Sequence, residues 1–185
     1  MTEILTLDEI KNWCKIDTTY DDFLLSALEV SCIDYAERST GLYFIERDVT
    51  ISFSGMRTSK WERFPYIDLP KPLISTLTKV ETIVDSTSVI VPTSYYTFKN
   101  ISNISRVIFT TSPTYDISEP YPFIVYFTAG FGSSADDVPE LIKTAIKAHI
   151  LYLYENRGDV QSEGGLGAPL EVDALLNKHK VRYVF

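Results

Sequence analysis

The stretch Gly130-Phe131-Gly132-Ser133-Ser134-Ala135 follows the apolar run FIVYFTA and precedes a helical pattern, so it fits G-x-G-x-x-A. In a dinucleotide fold such glycines let a backbone turn approach a pyrophosphate at a helix N-terminus. The context here argues against that chemistry. The strand lies late in the chain and no strand follows the helix. Asp136 and Asp137 stand where the phosphates would sit and would repel them. Gly130 and Gly132 are better read as positive-φ residues at a sharp strand-to-helix turn.

Other candidates for chemistry are sparse. Two cysteines, Cys14 and Cys32, and two histidines, His149 and His179, are scattered along 185 residues. They form neither a disulfide framework nor a four-ligand zinc pattern. The cysteines read as small buried hydrophobes, and His149 as a packed, hydrogen-bonded core residue. Asp21 and Asp22 are neighbours, but adjacent helical residues point about 100° apart and suit the helix dipole rather than acid–base work. No G-x-S-x-G, H-E-x-x-H or C-x-x-C is present. The reading is therefore no enzyme, no metal and no cofactor.

The net charge of −8 argues against a nucleic-acid-gripping surface. The N-terminus, MTEILTLDEI, lacks the basic segment of a signal peptide, which implies a cytoplasmic origin. Twelve Tyr and ten Phe are many for this length and suit either a core or a protein interface.

The elements that must position these residues are well marked. Thr6 and Glu9 form a capping-box signature, with Leu5 and Ile10 as staple, for a helix to about Lys15. Asp17-Thr18-Thr19 breaks it and caps a second helix, from about Tyr20 to Thr40, that ends at Gly41. Phe23, Leu24, Ala27, Leu28, Ser31 and Tyr35 follow the spacing of its buried face. Residues 42–129 then read as five to seven short strands in antiparallel hairpins: 49–54, 66–70, 77–84, 89–91, 95–98, 106–110 and 123–129. A long helix follows from about Val138 to Arg157, with Pro139 at N1. Leu141, Ile142, Ala145, Ile146, His149, Ile150 and Leu153 form its apolar face. Leu151, Tyr152 and Tyr154 carry apolar surface round the other side, which makes them candidates for subunit packing. The Gly-rich residues 158–168 predict a mobile loop. A short helix starts after Pro169, and the chain ends in a basic, aromatic run.

The ordered set of motifs resembles the head–tail connector (head–tail adaptor) family of tailed bacteriophages. The opening LTLDEIKNWCKID…YDDFLLSALEVSCIDYAERSTG is similar to the family's two N-terminal helices, and IDLPKPLISTLTKVETI to its proline-flanked strand pair. VYFTAGFG…VPELIKTAIKAHILYLYENRGD resembles its most recognisable block, and V-x-A-L-L its final helix. KHKVRYVF continues beyond the family's usual end. The resemblance implies an α+β fold: a helical bundle built on two long helices, with a β-rich central insertion of short antiparallel strands. It implies a single domain, with N-terminal helices in 1–41, the insertion in 42–129, and the long helix, loop, short helix and tail in 138–185. It also implies a structural virion protein of the neck: a homo-oligomeric ring, expected to be a dodecamer, beneath the portal protein. Such a ring extends the DNA channel, lets DNA pass without specific binding, and docks the downstream neck or tail-completion protein. Lys178, Lys180, Arg182, Tyr183 and Phe185 are candidate portal or neck contacts, with a solvated helix end as the competing reading. The alternatives are a tail-completion protein bound further down the tail, or a small ligand-binding domain or enzyme with a pocket around His149 or Cys32.

Overall fold

The computed structural model describes residues 3–60, 62–70, 73–101, 104–157 and 168–181. The fold is mixed α+β, with four α-helices and seven strands among these residues. The chain divides into two compact units. One combines residues 1–45 with 131–181, and the other is built on residues 46–130.

The first unit is helical. Helix α1 (Leu7–Cys14) starts at the predicted capping box, and Lys15 closes it in a left-handed conformation, φ 55°. Leu5 and Ile10 are both buried, as a staple requires. Helix α2 spans Asp22–Thr40 and ends at Gly41, whose φ of 77° favours glycine. Its N-cap is Asp21, without a side-chain cap bond, rather than the Asp17–Thr19 segment. Helix α3 (Glu140–Glu155) has Pro139 at the N-cap, one residue earlier than the N1 position expected. Asp136 and Asp137 belong instead to a separate 3₁₀ turn, Ala135–Asp137. Helix α4 spans Leu170–Leu176 and starts after Pro169, as expected. The predicted mobile loop lies outside the described residues except for Ala168.

The core of this unit joins Leu25, Cys32 and Ala36 of α2, Ile142, Ala145, Ile146 and Ile150 of α3, and Val172 and Leu176 of α4. The predicted inner face of α3 is therefore largely correct, and that of α2 only in part: Leu28 and Tyr35 pack against the core and Leu24 is half-buried. Leu25, Glu29, Cys32, Ile33, Ala36 and Thr40 are the buried residues of α2. Phe23, Ala27 and Ser31 are exposed. The cause is Glu29, a charged residue in the middle of the inner face. Its Oε1 accepts the backbone N–H groups of Ile4 at 3.2 Å and Leu5 at 3.0 Å. Those donors precede α1, and a buried acceptor satisfies them. Binary patterning reads a glutamate as outward, and so turned the helix.

The second unit holds two antiparallel sheets. β1 (Arg47–Phe53), β7 (Phe123–Ala129), β3 (Ile74–Val84) and β4 (Thr87–Ile90) form one, in the order β1-β7-β3-β4. β2 (Tyr66–Leu69), β6 (Ile104–Phe109) and β5 (Tyr96–Ile101) form the other, in the order β2-β6-β5. β7 and β6 alternate buried and half-buried residues without a break, as one-sided burial demands. β3 begins three residues earlier than its alternation predicts. Register shifts at Ile74/Thr76 and Leu77/Lys79 interrupt the period there. Phe109 and Phe123 meet at 5.8 Å between ring centroids, and Tyr115 lies 4.8 Å from Phe123. Asp85 and Ser86 both take positive φ, 48° and 62°, between β3 and β4, as a two-residue hairpin turn requires.

Candidate functional site

The glycine turn has no room for a phosphate. Gly130 has φ 153°, but Gly132 lies outside the positive-φ region. Gly132 is needed for space instead, since a Cβ there would collide with the Asp137 carboxylate. That carboxylate accepts the Ser134 N–H at 3.0 Å, and the Ser134 hydroxyl accepts the Asp136 N–H at 3.2 Å. The protein's own side chains thus take the donors an anion would use.

The titratable residues are placed for packing. Cys32 is fully buried, and burial pushes its thiol up to about 12, leaving no thiolate at neutral pH. Burial, with the Glu155 charge, also raises Cys14. His149 is 3% exposed and packs edge-on against Tyr35 at 4.9 Å. Its Nε2 has no hydrogen-bond partner among the described residues, so the expected hydrogen bond is missing at that atom. Burial lowers the imidazole pKa, and the nearby Asp173 charge only partly offsets this. Asp173 is itself the acceptor for the Tyr35 hydroxyl at 2.8 Å, which ties α4 to α2. No group of three metal-ligating side chains occurs among the described residues.

The predicted contact residues fall on different elements. Lys178 and Lys180 are exposed just beyond α4, where the Val181 N–H bonds the Thr40 carbonyl at 3.0 Å. Arg182, Tyr183 and Phe185 lie outside the described residues. Leu151, Tyr152 and Tyr154 are half-buried on the last turns of α3. Tyr154 also has an internal role. Its hydroxyl donates to Asp21 at 2.7 Å, and Arg157 covers its ring at 4.1 Å while reaching Asp21 at 3.3 Å. Asp22 completes the junction through Lys11 of α1, at 2.8 Å. The two acids at the head of α2 thus fasten it to two other helices.

Two features escaped the sequence reading. In the second unit, a groove of about 400 Å³ is lined by Phe53, Met56, Arg57, Asp68, Leu69 and Ile104, among others. Beside it, Arg106 donates to Asp68 at 2.6 Å and Glu62 at 2.6 Å and stacks over Tyr66 at 3.7 Å. These partners are far apart in the sequence, so no local motif announces them. In the first unit, α2 and the turn before it carry large apolar side chains in solvent. Tyr20 is 92% exposed and Phe23 89%.

Among solved structures, the fold is similar to a chain from the neck of an empty GTA particle computed with C6 symmetry. The TM-score is 0.76 over 98% of this chain and 92% of that one. The two chains share a fold. A chain from the virion of a native gene transfer agent (GTA) particle matches with TM-score 0.73, again over 98% and 92% of the two chains. A chain from the neck of a native GTA particle computed with C12 symmetry gives 0.63, over 88% and 84%. Identity is 19% in all three, which speaks for the fold alone. Neither a protein-family profile nor a curated protein matches the sequence. The resemblance to neck proteins read from the motifs thus holds at the level of the fold.

Proposed function

We propose that this protein is a structural neck component of a tailed-phage-like particle, a head–tail adaptor. The observation that carries the reading is the neck-chain fold, matched over nearly the full length of both chains. In this reading copies of the chain repeat around the particle axis as a ring, with twelve the expected number. The ring sits beneath the portal, extends the DNA channel and docks the next neck protein. The two compact units act together as one connector domain, and α2 and α3 are the two long helices of its bundle. Lys178, Lys180, Arg182, Tyr183 and Phe185 are proposed to face the portal or the next neck protein. Leu151 and Tyr152, with the ring of Tyr154, are proposed to help pack neighbouring subunits. The role is mechanical rather than catalytic. DNA passes without being gripped, in keeping with a net charge of −8.

The test is the native mass of the purified chain alone and after mixing with the portal protein of the same particle. A ring-sized species or co-migration with the portal is expected. A strict monomer that ignores the portal would contradict the adaptor role and favour a protein bound further down the tail.

A further inference from the structure

We infer that the outer face of α2, led by Phe23, together with Tyr20 in the turn before the helix, is the surface on which the neighbouring copy of this chain docks. The inference rests on the ring reading above and names the contact within it.

Phe23, Ala27 and Val30 recur at four- and three-residue spacing, and Tyr20 precedes Phe23 by three. At 3.6 residues per turn the three helical positions span roughly 60° of the helix. All four residues are exposed. The inner face of α2, centred on Glu29, is already closed by α3 and α4. The helix therefore has two faces, and only one of them is covered among the described residues.

Charge indicates what covers the other. Copies of a chain with net charge −8 repel one another, so they can meet closely only where carboxylates are sparse. The outer positions from Phe23 to Ser31 are Phe, Ser, Ala, Val and Ser, with no charged residue. The stripe then ends at Asp34, which Arg38 pairs at 2.9 Å. A nucleic acid would need cations here, and a membrane surface would need a Lys- or Arg-rich flank. The stripe has neither. Area points the same way. Buried aromatic rings cover about 150–250 Å² each, so Tyr20 and Phe23 together supply roughly 300–500 Å² of the about 800 Å² per partner in a stable interface.

The experiment uses the full-length protein, with Phe23→Asp and, as a second lesion on the same stripe, Val30→Glu. Phe23→Leu is the conservative control. Sedimentation across a wide concentration range reads assembly, and circular dichroism reads folding. Wild type and Phe23→Leu are expected to form multiples of the 21.0 kDa chain. Each charged variant is expected to stay folded and to need at least about 100-fold more protein to associate, because a buried unpaired charge is strongly unfavourable. In wild type, hydroxyl-radical labelling of Tyr20 and Phe23 should fall on assembly. Charged variants that assemble like wild type, with labelling unchanged, would overturn this contact and leave the ring reading standing. Variants that assemble normally but are lost from particles would assign the face to a different protein and overturn it too. A wild-type chain that stays at 21.0 kDa both alone and in the presence of the portal protein would sink both the contact and the ring.

Discussion

The inner and outer faces of α2 carry the same kind of periodic signal but meet different fates. The inner face places Leu25, Cys32 and Ala36 against α3 and α4 and is interrupted by Glu29. The outer face places Phe23, Ala27 and Val30 in solvent and is interrupted by nothing charged until Asp34. The comparison shows that periodicity marks apolar surface and does not say what covers it.

Damage to the inner face of α2 should have the largest effect. Leu25 is fully buried, so Leu25→Ala should cost about 2–5 kcal/mol of folding stability in a denaturant titration. Phe23→Asp on the outer face should change that titration by less than about 0.5 kcal/mol. Equal losses at the two sites would erase the distinction.

Glu29 sharpens it further. Glu29→Ala leaves the N–H groups of Ile4 and Leu5 without their buried acceptor, at a cost of about 1–3 kcal/mol for each. Glu29→Gln keeps one carbonyl oxygen for both donors and should lose much less. Burial raises the Glu29 carboxyl above its usual 4.5, despite the two backbone donors. The folded state then holds its proton longer than the unfolded chain, so this residue's contribution falls as pH rises above 4.5. Glu29→Gln should remove that fall when melting is compared between pH 4 and pH 7.

His149 should show the opposite slope. Its folded pKa lies below 6.5, so the unfolded chain takes up the proton first as pH drops. Stability is fully present above the unfolded value and declines as pH falls through 6.5 toward the folded value. His149→Gln should flatten melting temperature against pH between about 7 and 5 while leaving assembly intact. A lost assembly signal at neutral pH would mean that the residue does more than pack.

The smallest effect belongs to the second unit. Ser86 has φ 62° in the β3–β4 turn, where glycine is free of strain. Ser86→Gly should raise stability by a few tenths to about 1 kcal/mol, seen as a small rise in melting temperature.

These sites also mark how far the sequence could be read. The capping box at Thr6 and Glu9, the Gly41 stop, the FIVYFTA strand and the inner face of α3 were legible because each follows from local spacing. The inward turn of Glu29 was not, because its partners lie 24 and 25 residues away. The β3 start was hidden by register shifts that break the period of two. Arg106, Asp68 and Glu62 meet only through strand pairing and a loop. At Gly132 the need for glycine was legible but its reason was not, since the crowding comes from Asp137 rather than from φ. The contact residues are the least legible part, because a surface is defined by what covers it.

The most direct test is a side-chain-resolution reconstruction of a particle neck in which the proposed function places this chain. The account predicts copies of the chain side by side around the axis, with Tyr20 and Phe23 of each covered by the next. A neck built without this chain would contradict the proposed function, and a ring that leaves both rings in solvent would contradict the proposed contact.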